Sequence, residues 1–149
     1  MTAMPMHVRT ALQDLMIAYC YAVDKLDDID ALLDLFTEDA VLDFTRIGLP
    51  LMNGRADIRR FFDGVFADMT HHAHYISNFR PAGWDGTTGA MTAYVTGLGR
   101  SKDGNTVDVK VQYTFEASEQ SDGSWKCHRY SMFAMMPLPE SLAEIHGER

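Results

Sequence analysis

The chain has 149 residues, a formal net charge of −8 and a sequence pI near 5.0. That length is enough for one domain with a real core, and the acidic balance lacks the basic stripe a nucleic-acid binder needs. No apolar run approaches membrane-spanning length, and Met1–Thr10 have no charged segment leading into an apolar one, as a signal peptide would. The expectation is a single cytoplasmic domain over residues 1–149 that engages neither nucleic acid nor membrane. The two cysteines, Cys20 and Cys127, match no zinc or redox spacing and read as buried, reduced thiols.

Residues 1–7 read as a loose terminus. From Val8 to Lys25 the apolar positions Leu12, Leu15, Met16, Tyr19, Val23 and Leu26 form one helical stripe, extended round one flank by Ile17, Cys20 and Tyr21. Such a helix packs on two sides, one of which can be a cavity, and Asp24 falls on that flank. Leu26-Asp27-Asp28 breaks the helix. Asp27 or Asp28 can cap a short second helix containing Leu32, Leu33, Leu35 and Phe36. Val41, Leu42 and Phe44 read as a short strand, and Ile47–Asn53 as a hairpin or loop. A third helix covers Ala56–Asp68 and buries Ile58, Phe61, Phe62, Val65 and Phe66.

After Thr70 the chain reads as strand: His72–Arg80, Thr88–Leu98, Thr106–Ala117 and Trp125–Met135. Asp85-Gly86 and Asp122-Gly123 supply hairpin signals at the first and last joints. The tail from Pro137 reads as a short helix from Glu140 or a free end. Helices followed by an antiparallel meander imply an α+β fold. Its form would be a cone-shaped curved antiparallel sheet wrapped around the N-terminal helices, an α+β barrel with an internal pocket.

The stretch Thr70–Asn78 carries the chemistry, with His71, His72 and His74 packed into four positions. Alternate side chains of a strand share a face. His72, His74, Ile76 and Asn78 then point one way, and His71, Ala73, Tyr75 and Ser77 the other. A metal site on this strand would have two nitrogens, from His72 and His74, and no clear third ligand, so none is expected. Gly97-Leu98-Gly99 lies inside a strand pattern and opens no helix, so it is no dinucleotide fingerprint. No Gly-x-Ser-x-Gly elbow is present. The expected partner of His74 is Asp24, meeting it inside an apolar pocket.

Five segments together resemble the nuclear transport factor two-like superfamily in its SnoaL-like branch: Tyr21–Asp24, Leu35–Phe44, Gly54–Ile58, His74–Asn78 and Asp122–Lys126. Asp24 and His74 resemble the Asp–His pair of scytalone dehydratase and of hexachlorocyclohexane dehydrochlorinase. The likeness to the latter extends to Asn78, Arg80, Pro137-Leu138 and Ile145-His146. Tyr19 stands where the dehydrochlorinase carries a lysine, and its last-strand arginine falls at Arg129 or Tyr130.

The resemblance implies a cofactor-independent lyase or isomerase, of dehydratase or dehydrohalogenase type, acting on a hydrophobic cyclic small molecule. His74 would be the base and Asp24 its orienting carboxylate. Tyr21, Asn78 and Arg129 are candidate substrate-binding helpers, with Tyr113 and Tyr19 as further pocket candidates. A SnoaL-like polyketide cyclase, an epoxide hydrolase and a non-catalytic small-molecule binder are the alternatives on the same scaffold. A homodimer or homotrimer is implied, with contact through the outer sheet face, the last strand or the tail.

Overall fold

The computed structural model describes residues 3–147, so Met1, Thr2, Glu148 and Arg149 of the two expected loose ends lie outside it. Helix α1 runs Met6–Lys25, two residues longer at its start than its apolar stripe required. It stops where Leu26 takes a left-handed backbone (φ 60°). Asp28 caps the short helix α2, Ile29–Leu33, by accepting a hydrogen bond from the Ala31 N–H at 3.0 Å. Helix α3, Gly54–Asp68, turns Ile58, Phe61, Phe62 and Val65 inward. A short C-terminal helix, α4, spans Glu140–His146. No described helix is long and apolar enough to cross a membrane.

Leu35 and Phe36 do not continue α2. Phe36 instead opens strand β1, Phe36–Asp43, because tertiary partners claim its backbone. The Cys127 N–H donates to the Leu35 carbonyl at 2.9 Å, and Arg55 Nε donates to the Phe36 carbonyl at 3.1 Å. Local helix propensity is a weak prior against such bonds.

Strands β2 (Leu51–Asn53), β3 (Met69–Trp84), β4 (Thr88–Ser101), β5 (Thr106–Glu119) and β6 (Trp125–Ala134) complete one six-stranded sheet. Its order is β2-β1-β6-β5-β4-β3. The last four strands form the expected antiparallel meander, while β1 joins β6 in parallel and β2 pairs with β1. The sheet does not close: β2 and β3 are its edges. Extra residues bend it: Thr70 at the start of β3, two more in its second half, and His128 in β6.

Alternation along β4 and β5 places Met91, Ala93, Val95, Val111, Tyr113 and Phe115 on the concave face against α1. Tyr130 of β6 lies at the centre of that face. Its ring is 4.9 Å from Tyr19, 4.9 Å from Tyr113, 4.5 Å from Phe115 and 5.0 Å from Phe44, centroid to centroid. Edge-on and tilted contacts of this kind add to the burial energy. The Tyr130 hydroxyl is buried and meets no hydrogen-bond partner at good geometry, although the Tyr19 and Tyr113 hydroxyls are close enough for a weak, poorly aligned hydrogen bond with it.

The two halves of this side chain are therefore expected to differ in worth. Tyr130→Ala should cost about 3 to 5 kcal/mol through the cavity it leaves. Tyr130→Phe should change stability by no more than about 1 kcal/mol, since the buried hydroxyl it removes has only the Tyr19 and Tyr113 phenols as neighbours and no well-formed hydrogen bond to lose. Urea unfolding midpoints of the two variants against wild type measure both.

Candidate active site

The site is made where the C-terminal end of α1 crosses β3. Asp24 lies one turn beyond Cys20, at the edge of the buried stripe formed by Tyr19 and Val23. Its carboxylate clasps His74 twice. His74 Nδ1–H donates to Asp24 Oδ1 at 2.6 Å, and the backbone N–H of the same residue donates to Oδ2 at 3.0 Å. The second bond fixes the carboxylate against the strand, so the first fixes both the tautomer and the tilt of the ring. With Nδ1 occupied, His74 Nε2 is left as a hydrogen-bond acceptor.

His72 is held in the same manner by the preceding residue. Its Nδ1–H donates to the Val23 carbonyl at 3.0 Å. The rings of His72 and His74 stand edge to face, 5.4 Å between centroids. Burial is the largest cause that pushes His72 below the ordinary histidine range, with the neighbouring His74 adding to it; the Val23 hydrogen bond and the Asp24 charge act the other way.

Both rings rest over glycines of the neighbouring strand. His74 pairs with Gly97 and His72 with Gly99. A Cβ on Gly97 would stand 3.3 Å from Cδ2 and Nε2 of His74 and 3.0 Å from Val109 Cγ2. A Cβ on Gly99 would stand 3.1 Å from His72 Cδ2 and 2.6 Å from Met69 Cε. The Gly97-Leu98-Gly99 stretch therefore serves as a flat seat for two imidazoles.

In front of these rings lies a cavity of about 100 Å³. Its walls are mostly apolar, drawn from α3 (Phe61, Phe62, Val65), the turn after β1 (Ile47, Leu49) and β5 (Val107, Val109, Val111). Leu142 and His146 of α4 close one side, and Tyr19 and Tyr113 reach it from α1 and β5. Burial, foremost, raises both phenols far above the usual tyrosine range, so they remain protonated donors. Burial likewise pushes the Cys20 thiol up to about 12 and raises Cys127 further, so the two free cysteines stay neutral.

Among the sequence-selected residues, the structure brings together Asp24, His74, Tyr19 and Tyr113. It does not bring Tyr21, Asn78 or Arg129 to the cavity. Tyr21 is 70% exposed, since two residues past Tyr19 the helix has turned to the opposite side. Asn78 has a left-handed backbone (φ 56°) where β3 takes an extra residue between Ser77 and Arg80, so it leaves the face that His72 and His74 share. Arg129 lies on the outer face, 3.7 Å from Asp43 and 3.9 Å from Glu116. The inward position at that register belongs to Tyr130, because the extra residue at His128 shifts the alternation. His72 and His146 are cavity residues to which the sequence assigned no role.

Asp24, His72 and His74 also place one ligand atom each within 4.8 Å of one another, a grouping a metal ion could use. Both oxygens of Asp24 are, however, already accepting from His74.

An open curved sheet, helices packed against it and an apolar cavity walled by a carboxylate-oriented histidine are the architecture of the nuclear transport factor two-like class. Residues 5–131 match the SnoaL-like domain, and the chain belongs to that family. Among solved structures it is similar to a proposed aromatic ring hydroxylase from Novosphingobium aromaticivorans, at 52% identity and a TM-score of 0.89 over 92% of this chain and 95% of that one. It shares the fold of a proposed scytalone dehydratase from the same species (22% identity, TM-score 0.75, 85% and 83% covered). It shares it too with a type 3 hexachlorocyclohexane dehydrochlorinase from Novosphingobium barchaimii (22%, 0.73, 86% and 86%). No curated protein sequence matches the chain.

Two outcomes follow from this geometry. Gly97→Ala should cost about 1 to 3 kcal/mol by overpacking and displace the His74 ring, seen as a shift of its imidazole resonances in NMR spectra. His72 should make the protein acid-sensitive. Unfolded, it takes up a proton near the ordinary histidine value; folded, it does so only at lower pH, so its contribution is complete above that value and fades as pH falls. Between pH 7 and pH 5 wild type should lose more stability than His72→Phe, measured by urea midpoints.

Proposed function

We propose that this protein is a cofactor-independent lyase or isomerase in which His74 abstracts a proton from a hydrophobic, cyclic small molecule. The observation that carries it is the double hydrogen bond from His74 to Asp24 at the wall of an apolar cavity. Asp24 holds the Nδ1–H tautomer, so Nε2 is the basic atom, and it stabilises the imidazolium that forms when the proton arrives. Removing a proton beside a leaving group gives elimination of water or halide; removing one next to a carbonyl gives an enolate. In the second case Tyr19 and Tyr113, kept protonated by burial, are donors for the oxygen that becomes negative. The dehydratase and dehydrochlorinase names among the structures that share this fold agree with elimination.

Assembly is part of the proposal. Tyr75, Tyr94, Met135 and Met136 are exposed and line one groove on the outer side of the sheet, which supports a homo-oligomer formed through that face. Sedimentation of wild type and a Tyr94→Lys variant tests it: loss of a dimer or trimer in the variant is expected, and a monomeric wild type would refute it.

The catalytic test is a neutral-pH screen of cyclic β-hydroxyketones and halogenated rings, followed for loss of water or halide. His74→Ala should lower turnover about 10² to 10⁴-fold. Asp24→Asn should fall in the same range, because a carboxamide cannot hold the tautomer or stabilise an imidazolium as a carboxylate does. Circular dichroism confirms that each variant is folded. Turnover that survives His74→Ala would remove His74 as the base.

A further inference from the structure

The proton-transfer proposal uses one of two imidazoles that stand side by side and are pinned in the same way. His72 shares the His74 face of β3, lies over its own glycine and lines the same cavity. Nothing in the elimination chemistry needs it. As a packing residue it is already satisfied at Nδ1 by the Val23 carbonyl. Yet that bond has a consequence for the other nitrogen. A carbonyl only accepts, so Nδ1 must carry the proton, and a neutral imidazole then has a bare lone pair on Nε2. No described residue donates a hydrogen bond to that atom; His72 makes its one hydrogen bond through Nδ1. The cavity wall is mostly Val, Leu, Met and Phe, which offer no donor; Tyr19, Tyr113 and His146 also line it, but the hydrogen bond the His72 ring makes is the one to Val23.

We propose that His72 reads the ligand: its Nε2 accepts a hydrogen bond from a hydroxyl group carried by the ring that occupies the cavity. As a statement about substrate this rests on the proposed function above, and it narrows it to hydroxylated cyclic compounds, in preference to purely halogenated ones. The chemistry is that of an acceptor fixed in an apolar wall. A C–Cl bond or an ether oxygen has no hydrogen to give, so such a ligand leaves the lone pair desolvated and unpaired. A hydroxyl satisfies it. The low proton affinity that burial gives His72 keeps it an acceptor at neutral pH, where an imidazolium would be a donor and reverse the preference. The groups facing it are His74, whose Nδ1 is committed to Asp24, and Asp24 itself, both of whose oxygens are committed to His74. Neither competes for the ligand hydroxyl through those atoms. The volume, about 100 Å³, is below the roughly 150 Å³ of a cavity known to take up benzene, so even a single small ring requires the wall, which includes Leu142 and His146 of α4, to give.

Binding of phenol, anisole and chlorobenzene, measured by calorimetric or NMR titration at pH 7, tests the assignment without any turnover. Hydrophobicity alone favours anisole and chlorobenzene over phenol. The expected result is the reverse, phenol binding about tenfold more tightly than either, the worth of one hydrogen bond. In His72→Phe, which keeps a flat ring over Gly99, that preference should disappear; in His74→Phe it should persist. Absence of saturable phenol binding, or no phenol preference in wild type, overturns the proposal. So does a preference lost in the His74 variant and kept in the His72 variant. Long-range ¹H–¹⁵N spectra of wild type give a second readout that needs no variant. His72 should appear as the Nδ1–H tautomer with Nε2 bare, and a protonated Nε2 overturns the proposal. Zinc that raises the melting temperature in wild type but in neither histidine variant, with phenol inert, would instead identify a two-nitrogen metal site. Failure of the elimination screen alone leaves the phenol preference standing, so the two proposals fail separately.

Discussion

The clasp of Asp24 on His74 is the constraint around which the rest of the site is arranged. A carboxylate that accepts from a backbone N–H and from the side chain of the same residue has no freedom to turn. It ties the last turn of α1 to the edge strand β3, a strand that has a sheet neighbour on one side only, β4. The tie is also polar, and the groups are only partly exposed: the side chains of His74 and Asp24 retain 16% and 27% of their accessible surface. Polar groups at such depth persist when their partners are complete. Here the partners are complete on the protein side and open at one nitrogen, the arrangement an oriented base requires.

The cavity follows from how the helices and sheet share their apolar residues. Helix α1 buries one long stripe, with Leu12, Leu15 and Met16 in the core and Tyr19 and Val23 reaching the pocket. Large rings gather on one side, where Tyr19, Tyr113, Phe115 and Tyr130 pack against one another. Small residues gather on the other, where Gly97 and Gly99 face the histidines. The space between these unequal sides is the pocket. A Cβ on Gly97 would press on Val109 and His74, and one on Gly99 on Met69 and His72.

Much of this was legible in the sequence, and the parts that were not have definite causes. The α1 stripe, the meander and the Asp-Gly hairpin joints are local patterns, and each appears within a few residues of where periodicity puts it. The shared face of His72 and His74 follows from strict alternation, which β3 obeys through Ser77. Asn78 was assigned to the same face by the same rule, and there the rule breaks, since an extra residue and a left-handed backbone take it out of the ladder. His128 does the same to β6, so Arg129 and Tyr130 exchange the faces a simple count gives them. A bulge has no strong signature in a single sequence. Tyr21 differs for another reason: a broad apolar flank does not say where the helix surface meets water, and Tyr21 lies well out on the water side.

Gly97-Leu98-Gly99 shows how an absence of side chains can be a functional signal that pattern matching misses. As a motif it resembles a nucleotide-binding turn only in its glycine spacing, for it opens no helix. In the fold it matters for what it admits. Glycine in a strand interior weakens the strand and marks a place where something approaches closely, and two of them at alternate positions on one face mark two such places on the same side. Opposite them stand the two histidines whose Nδ1 atoms α1 holds. Helix, strand and glycine seat fix each imidazole from three directions, by a hydrogen bond, by the backbone it grows from and by the surface it lies on. Two rings constrained so alike on one wall are more than one base requires, and that parallel restraint is the ground for the two roles proposed: a base at His74 and a hydrogen-bond acceptor at His72.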